Sequence, residues 1–282
     1  MADQGEKSGP GRRQTAARRH RLGQHFLRDL GVIEDILAAF APGSGDRVLE
    51  VGPGHGALTG PVAGTVAAFV AVERDPSLAA ALQRRYHREA GVTILEGDIL
   101  AIDLEAELTG AAGGPARFRL LGNLPYSIAT PLVARTLARA DLFSDMTVMV
   151  QREVARRMLA PPASADYGPL AVLVALRATG AHLVLDAPPG AFAPPPEVHS
   201  SVVQMLLPVH AAADDAAMGI SLARRAFLQR RKKLVNTLSG TSPQRVASAM
   251  SSLGLPADAR PEQVAPEDYV RLARRLRQEE SR

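Results

Sequence analysis

Four residues, Asn123, Leu124, Pro125 and Tyr126, follow an apolar run at 117–122 that is typical of a buried strand. The Asn123 side-chain oxygen and the Leu124 carbonyl are two acceptors that can bind both protons of an exocyclic amine. In adenine the N6 lone pair is delocalised into the ring, so holding both protons favours a pyramidal, more nucleophilic nitrogen. Tyr126 offers a flat face for an extracted base. An ordinary turn after a strand is the alternative, and an upstream cofactor loop would favour amino methylation.

A glycine-rich loop, EVGPGHG at 50–56, lies upstream between a predicted strand and a predicted helix. Glycine allows a sharp turn and close approach of a ligand to the backbone, and the helix N-terminus adds partial positive charge. The spacing differs from G-x-G-x-x-G, and the Lys-Ser/Thr of a phosphate loop is missing. Gly52 and Gly54 are therefore candidates to contact a cofactor without an essential pyrophosphate.

Two acids stand where the next two predicted strands end, Glu73 after 68–72 and Asp98 just past 92–95. An acid after the second strand can accept hydrogen bonds from both hydroxyls of a ribose, and open α/β sheets bind ligands at this edge. Either acid alone would more often be a cap or turn residue. Together with the glycine loop they predict a nucleoside-bearing cofactor, and S-adenosyl-L-methionine fits best.

Alternating strand and helix patterns place these residues. Strands are predicted at 46–52, 68–73, 92–95, 117–122 and 146–150, and helices at 31–41, 56–66, 76–89 and 130–140. Such alternation predicts an α/β fold with a mostly parallel sheet covered on both faces. Further helices are predicted at 152–160 and 168–178, strands at 182–186 and 201–207, and short helices beyond about 209. We divide the chain into a disordered basic tail at 1–20, a body at 21–208 and a helical domain at 209–282.

Composition narrows the function classes. The chain of 282 residues has no cysteine, which excludes thiolate metal sites and a cysteine nucleophile. No apolar stretch is long enough to span a bilayer and no signal peptide is evident, so we expect a cytoplasmic protein without a membrane partner. Net charge is +4 over 1–30, −7 over 31–220 and +7 over 221–282. Basic ends around an acidic body fit polyanion-binding flanks, and a solvated surface fits as well.

Several motifs together resemble one family. They are GQHFL (23–27), EVGPGHGALT (50–59), GD (97–98), GNLPYSI (122–128), QREV (151–154), YG (167–168), FAPPPEVHS (192–200) and AFLQRRKKLVNTL (226–238). In this order they are similar to the ribosomal RNA adenine dimethyltransferases of the KsgA/RsmA type, over about residues 21–276.

The resemblance implies a Rossmann-like class I S-adenosylmethionine-dependent methyltransferase domain with a small helical C-terminal domain. It implies dimethylation of two adjacent adenines in the 3′-terminal hairpin of 16S rRNA, within the assembling small ribosomal subunit. The implied cofactor contacts are His25, Leu27, Gly52, Glu73, Asp98 and Asn123. Phe192 would cover the face of the adenine opposite Tyr126, with Asn123 and Leu124 orienting N6. No metal is implied, and a monomer is the default expectation.

This chain departs from the family pattern in places. His25 stands where Asn is usual, and an imidazole there would donate to the cofactor carboxylate in a pH-dependent manner. Ser127 and Ala129 replace the usual Asn and Ser, and Glu197 and His199 stand where Lys and Asp are common. These changes concern substrate and cofactor contacts rather than the reaction.

Six basic residues are predicted on or near one C-terminal helix, around an apolar stripe of Phe227, Leu234 and Leu238. The stripe would pack on the body while the cations meet RNA phosphates, although a solubilising surface is an alternative. The six are Arg224, Arg225, Arg230, Arg231, Lys232 and Lys233.

Other functions stay open at this point. An Erm-type enzyme would perform the same chemistry on 23S rRNA and confer antibiotic resistance. A non-catalytic RNA-binding assembly factor could keep the fold, although the intact glycine loop, Glu73, Asp98 and Asn123 argue against it. A DNA adenine methyltransferase is weaker, since no segment resembles a sequence-reading DNA domain.

Overall fold

The computed structural model describes residues 24–208 and 213–280, so the tail predicted at 1–20 lies outside the described residues. The strands are β1 Phe26–Leu27, β2 Arg47–Val51, β3 Ala68–Glu73, β4 Val92–Glu96, β5 Phe118–Asn123, β6 Phe143–Gln151, β7 Thr179–Ala187, β8 Phe192–Ala193 and β9 Ser200–Leu206. The α-helices are α1 Leu30–Phe40, α2 Thr59–Val62, α3 Pro76–Tyr86, α4 Leu104–Ala112, α5 Ala129–Leu137, α6 Arg152–Leu159, α7 Pro169–Arg177, α8 Ala213–Phe227, α9 Pro243–Ser252 and α10 Pro266–Glu280.

Seven strands form one mixed sheet in the order β4-β3-β2-β5-β6-β9-β7. The first five are parallel, while β9 runs antiparallel to both β6 and β7. Buried apolar side chains form one cluster on each face of the sheet, centred on residues such as Leu120 and Phe69. This architecture confirms the predicted α/β fold with helices on both faces. Since the parallel strands end at one edge, the loops after β2, β3, β4 and β5 meet there.

The helix predicted at 56–66 is wrong in extent, because only Thr59–Val62 is α-helical. The loop before it uses left-handed backbone at Gly52, Gly54 and Gly56, with φ of +68°, +59° and +84°. These conformations delay the start of the helix, and the glycines at 60 and 64 have low helix propensity. Helix α4 was not predicted at all, although Asp103 caps its N-terminus by accepting from the Ala106 N–H.

The six C-terminal basic residues are predicted on or near one helix, and α8 carries two of them, Arg224 and Arg225. The helical spacing assumed from 224 to 238 is wrong, because α8 ends at Phe227. Residues 228–233 form turns, and Leu234–Asn236 is a short 3-10 helix. The change of direction lets Leu234 and Leu238 enter the C-terminal hydrophobic cluster, where both are buried. Since burying them stabilises the fold more than another helical turn would, tertiary packing overrides local propensity. The predicted apolar contact of this stripe is therefore present, without the helix.

The C-terminal helices pack against the body through α7. One hydrophobic cluster combines Ala171 and Val172 of α7 with Leu222 of α8 and Leu272 of α10. Tyr167, just before α7, is fully buried there and donates its hydroxyl to the Val264 carbonyl at 2.9 Å. The domain boundary near 208 stays a prediction, because this shared cluster joins the two sides of it.

Helices α8 and α10 approach each other closely at Gly219. A Cβ built there would lie 2.6 Å from Val270 Cγ2 and 3.0 Å from the Val270 Cα. We therefore expect Gly219→Ala to lower the free energy of unfolding by up to about 2 kcal/mol, because overpacking costs about 1–3 kcal/mol against a helix-propensity gain of about 1 kcal/mol. Urea denaturation measures this.

The matched control is Gly110→Ala on α4, where a Cβ would meet nothing within 4 Å. There the propensity gain acts alone, so stability should rise by about 0.5–1 kcal/mol. Equal effects of the two substitutions would contradict the packing explanation.

Within the described ranges, no helix is both long and apolar enough to cross a membrane.

Candidate cofactor and substrate site

Two adjoining cavities open at the carboxyl edge of the parallel strands. We name them the Asn123 cavity and the Asp98 cavity after the residue that each contains and the other lacks. The Asp98 cavity has a volume of about 330 Å³, and Gly52, Glu73 and Tyr126 line both. Nine of the ten predicted cofactor and catalytic residues line the Asn123 cavity: His25, Leu27, Gly52, Gly54, Glu73, Asn123, Leu124, Tyr126 and Phe192. The tenth, Asp98, lines the neighbouring cavity.

The glycine loop forms a wall of both cavities and is held by the acid of the next strand. The Gly54 N–H donates to Glu73 Oε2 at 3.0 Å. A Cβ at Gly54 would lie 2.9 Å from Phe26 Cδ1, and its φ of +59° is unfavourable for other residues. Glycine is therefore required here both by the backbone conformation and by the packing of β1 over the loop.

Glu73 ends β3 and is almost fully buried between the two cavities. Its Oε1 accepts from the Asp75 N–H at 2.8 Å, while Oε2 accepts from Gly54. Burial raises the pKa of this carboxyl, and the backbone hydrogen bonds partly oppose that effect. Each oxygen keeps a second lone pair, so the carboxylate can still accept from a pair of ribose hydroxyls.

The Asp98 cavity combines apolar walls with one carboxylate. Val72, Ile99 and Ile128 contribute apolar surface. Asp98 Oδ1 accepts from the Leu100 N–H at 3.0 Å, and Oδ2 lies 3.8 Å from the Arg74 guanidinium. A flat base with an exocyclic amine suits such a cavity, since its faces pack on the aliphatic chains while its edge meets the carboxylate.

Asn123 ends β5 with its amide orientation set by a backbone contact. Its Nδ2 donates to the His25 carbonyl at 3.0 Å, which turns Oδ1 away from that bond. The Leu124 N–H donates to the Met149 carbonyl at 3.0 Å. No residue in the described ranges donates to Asn123 Oδ1 or to the Leu124 carbonyl. The structure thus leaves two unpartnered acceptors on consecutive residues, both of which line the cavity.

Two aromatic residues line the same cavity. Tyr126 lies over His25 with ring centroids 5.8 Å apart and 29° between the planes, and its hydroxyl is 3.5 Å from Ser200 Oγ. Phe192 pairs with Leu27 in the short β1–β8 ladder, which brings residues far apart in sequence to one wall. Phe192 is only 5% exposed and also belongs to a core cluster. It is therefore a structural residue that also lines the cavity, and its contact with a substrate base stays a prediction.

His25 has a fixed hydrogen bond that limits its predicted role. Its Nδ1 lies 2.9 Å from the Pro194 carbonyl, which can only accept, so the proton of the neutral ring sits on Nδ1. Nε2 of the neutral ring is then an acceptor. Donation from Nε2 to a cofactor carboxylate therefore requires the imidazolium form.

Motif reasoning assigned no role to Glu50, which the structure places on the wall of the Asn123 cavity. It lies on β2 and is only 2% exposed. Burial, with a smaller contribution from Glu73, raises its pKa to about 8, while the hydrogen bond from Thr59 opposes the shift. The signal in the sequence was an acid inside the apolar run RVLEV.

The basic C-terminal residues lie outside both cavities. Arg225 donates to the Ser239 carbonyl, and Arg230 donates to the Ala165 carbonyl at 2.9 Å and lies 3.6 Å from Glu262. These two arginines brace the turn after α8. The other four, Arg224, Arg231, Lys232 and Lys233, are exposed.

No cluster of three or more His, Cys, Asp or Glu side chains able to hold a metal ion occurs in the described part of the chain.

Comparisons with known proteins identify the family of this chain. The family described as ribosomal RNA adenine dimethylase matches residues 15–278. Ribosomal RNA small subunit methyltransferase A of Methylococcus capsulatus is 41% identical over 261 residues, which are 92% of this chain and 97% of that protein. The protein of the same name from Bordetella petrii is 42% identical over 263 residues, which are 92% of this chain and 95% of that protein.

Two solved structures share the fold. A dimethyladenosine transferase from Plasmodium falciparum superposes with a TM-score of 0.77 at 21% identity, covering 91% of this chain and 98% of that one. The 23S rRNA methyltransferase ErmE superposes with a TM-score of 0.65 at 25% identity, covering 89% of this chain and 99% of that one. With the family match and the two relatives above, these findings show that the chain belongs to the ribosomal RNA adenine dimethylase family.

Proposed function

We propose that this protein dimethylates N6 of two adjacent adenines in the 3′-terminal hairpin of 16S rRNA, with S-adenosyl-L-methionine as methyl donor, during assembly of the small ribosomal subunit. The observation that carries this proposal is the pair of unpartnered acceptors, Asn123 Oδ1 and the Leu124 carbonyl, in the cavity beside Glu73. Two neighbouring acceptors match the two N–H groups of a primary aromatic amine.

The residues present fit the cofactor. Glu73 can hold the ribose hydroxyls, Asp98 and the apolar walls around it suit the adenine ring, and Gly52 and Gly54 let the backbone approach the ligand. His25 and Leu27 line the part of the site that is left for the methionine portion. S-adenosylmethionine supplies an electrophilic methyl group on a sulfonium.

The chain activates the amine by orientation. Asn123 Oδ1 and the Leu124 carbonyl accept the two N6 protons, which gathers charge on nitrogen in line with the incoming methyl group. Tyr126 stacks on one face of the adenine, and Phe192 limits the other face. The N6 proton is released to solvent after transfer. The same cavity then accepts the monomethylated amine, so two transfers follow at each adenine.

The exposed cations Arg224, Arg231, Lys232 and Lys233 supply RNA contacts outside the cavity. Clustered side chains of one sign attract phosphates and release counterions. Arg225 and Arg230 hold the turn that presents them. We propose that the protein acts as a monomer on the assembling particle.

The relatives at about 40% identity are named small-subunit methyltransferases, which favours 16S rRNA. ErmE, named for 23S rRNA, is the alternative, and it is 25% identical.

The test is methyl transfer from labelled S-adenosylmethionine to purified small-subunit particles and, separately, to large-subunit RNA, both lacking these modifications. We expect dimethyladenosine at two adjacent positions of the small-subunit terminal hairpin, identified by mass. Label in large-subunit RNA alone would favour the Erm alternative. Particle binding without label would favour a non-catalytic assembly factor.

A double substitution in the same assay tests the RNA surface. Lys232→Glu with Lys233→Glu should weaken particle binding by more than tenfold at low salt, since each removes a phosphate contact and adds repulsion. The matched control is charge reversal of the exposed Arg88 after α3, which should have little effect.

A further inference from the structure

Glu50 is a buried titratable group that the amine-orienting residues do not use. Thr59 Oγ1 donates to Glu50 Oε2 at 2.6 Å. Within the described residues, no donor reaches Oε1, and the side chain lines the Asn123 cavity. A buried carboxyl without a cationic partner is costly to ionise. Its protonation state therefore depends on the charge of a ligand bound in the same cavity.

Among the described residues, Glu50 forms no ion pair with a Lys, Arg or His side chain. Glu73 on β3 adds a negative charge that raises the pKa of Glu50. On α3, Tyr86 has a buried hydroxyl without a hydrogen bond, and the Arg85 guanidinium lies 5.2 Å from the centre of the Tyr86 ring. Two histidines also line the Asn123 cavity: His55 in the glycine loop and His25 just before β1. Burial, the largest cause, brings the pKa of Glu50 to about 8, so the carboxyl holds its proton near neutral pH.

The methyl donor and its product differ by one charge at sulfur. The donor is a sulfonium, and loss of the methyl group leaves a neutral thioether. No Lys or Arg is found among the described residues that line the Asn123 cavity. The register pairs Glu50 with Leu121 on β5, so Glu50 lies two residues, about 7 Å, below the level of Asn123 along the strands. A positive charge on a ligand in this cavity favours the ionised carboxylate over the neutral carboxyl.

We propose that Glu50 is a specificity-determining residue, which loses its proton to solvent when the sulfonium cofactor binds and regains one once the sulfur is neutral. The carboxylate then attracts the donor, whereas the product meets a neutral carboxyl. The site thereby prefers the donor over the product and releases the product more readily. This inference rests on the proposed function, because it requires S-adenosylmethionine as ligand.

The experiment is isothermal titration calorimetry of the full chain with S-adenosylmethionine and with S-adenosylhomocysteine. Each titration is run at pH 7 in phosphate and in Tris, whose ionisation heats differ, so that the heat difference counts the protons released. For the wild type we expect the donor to release close to one proton more than the product, because the two ligands differ only at sulfur and share the groups that His25 would contact.

The isosteric variant Glu50→Gln should release the same number of protons with the two ligands. Its affinity for the donor should fall about tenfold, with affinity for the product unchanged within about twofold. The matched control is Glu34→Gln, an exposed acid on α1, which should behave as wild type. Circular dichroism checks that each variant is folded.

The outcomes separate the two proposals. If the wild type releases as many protons with the product as with the donor, the role of Glu50 is overturned by the wild type alone. The same conclusion follows if Glu50→Gln releases as many protons as the wild type, or loses affinity for both ligands equally. If the wild type does not bind S-adenosylmethionine in either buffer, the cofactor assignment itself fails, and this inference fails with it.

Discussion

Replacing Asn123 by Ala is expected to lower the rate of methyl transfer by about 10²–10³-fold, the loss seen when one preorganised group is removed from a reaction centre. The variant lacks the Oδ1 acceptor, so the adenine amine keeps only the Leu124 carbonyl as a partner. The nitrogen lone pair then stays delocalised in the ring. Single-turnover transfer of a labelled methyl group to small-subunit particles measures the effect.

Asn123→Asp is the matched control for this prediction. It keeps an acceptor but replaces the Nδ2 donor, which bonds the His25 carbonyl at 3.0 Å, with an oxygen that repels that carbonyl. We expect it to retain more activity than the Ala variant, with displacement of the segment at His25. Particle binding should be unchanged in both variants. An Ala variant within tenfold of the wild-type rate would show that the Leu124 carbonyl alone orients the amine.

The largest stability effect is expected at Arg119, at the end of β5 opposite the site. Its guanidinium lies 2.7 Å from Asp46 and 2.8 Å from Asp145, and it also donates to the carbonyl of Phe40. Arg119→Met removes the cation and leaves Asp145, whose side chain is 10% exposed, without its partner. Because a buried charge left unpaired destabilises by about 3–5 kcal/mol, we expect a loss of that order in the free energy of unfolding.

The loss should depend on pH. Burial raises the pKa of Asp145, and Arg119 opposes that effect, so the pKa of Asp145 rises further in the variant. An acid with a raised pKa contributes stability below its unfolded pKa and loses it as the pH increases through the folded value. The deficit of Arg119→Met should therefore be greater at pH 7.5 than at pH 5, as measured by urea denaturation.

A second substitution checks the cause. Adding Asp145→Asn to Arg119→Met removes the orphaned charge and should recover part of the stability, while methyl transfer by the folded protein is unchanged in both variants. Arg119 lies four residues from Asn123 along β5, or about 13 Å, which separates the two effects. Full additivity in this double-mutant cycle would exclude the proposed coupling.

Local pattern predicted the elements well where burial and periodicity agree. The strand predicted at 68–73 matches β3, because all of its residues are buried and those before Glu73 are apolar. The end of β3 then places Glu73 without further information. Local pattern failed where backbone conformation or tertiary packing opposes helix propensity. At 56–66 the glycines shorten the predicted helix. At 228–233 the chain turns, because Leu234 and Leu238 are buried in the C-terminal hydrophobic cluster.

Residue types and spacing in the chain were sufficient to predict the α/β class and the carboxyl-edge position of Gly52, Glu73, Asp98 and Asn123, since parallel strands align their ends whatever the loops do. The predictions at His25, Leu27 and Phe192 came from the family resemblance instead. Residue types and spacing did not predict the pairing of β1 with β8, the Asn123 hydrogen bond to the His25 carbonyl or the Arg119 network. Each of these contacts joins segments at least 26 residues apart. The protonated state of Glu50 also arises from folding, since burial, its largest cause, exists only once the chain is packed around it.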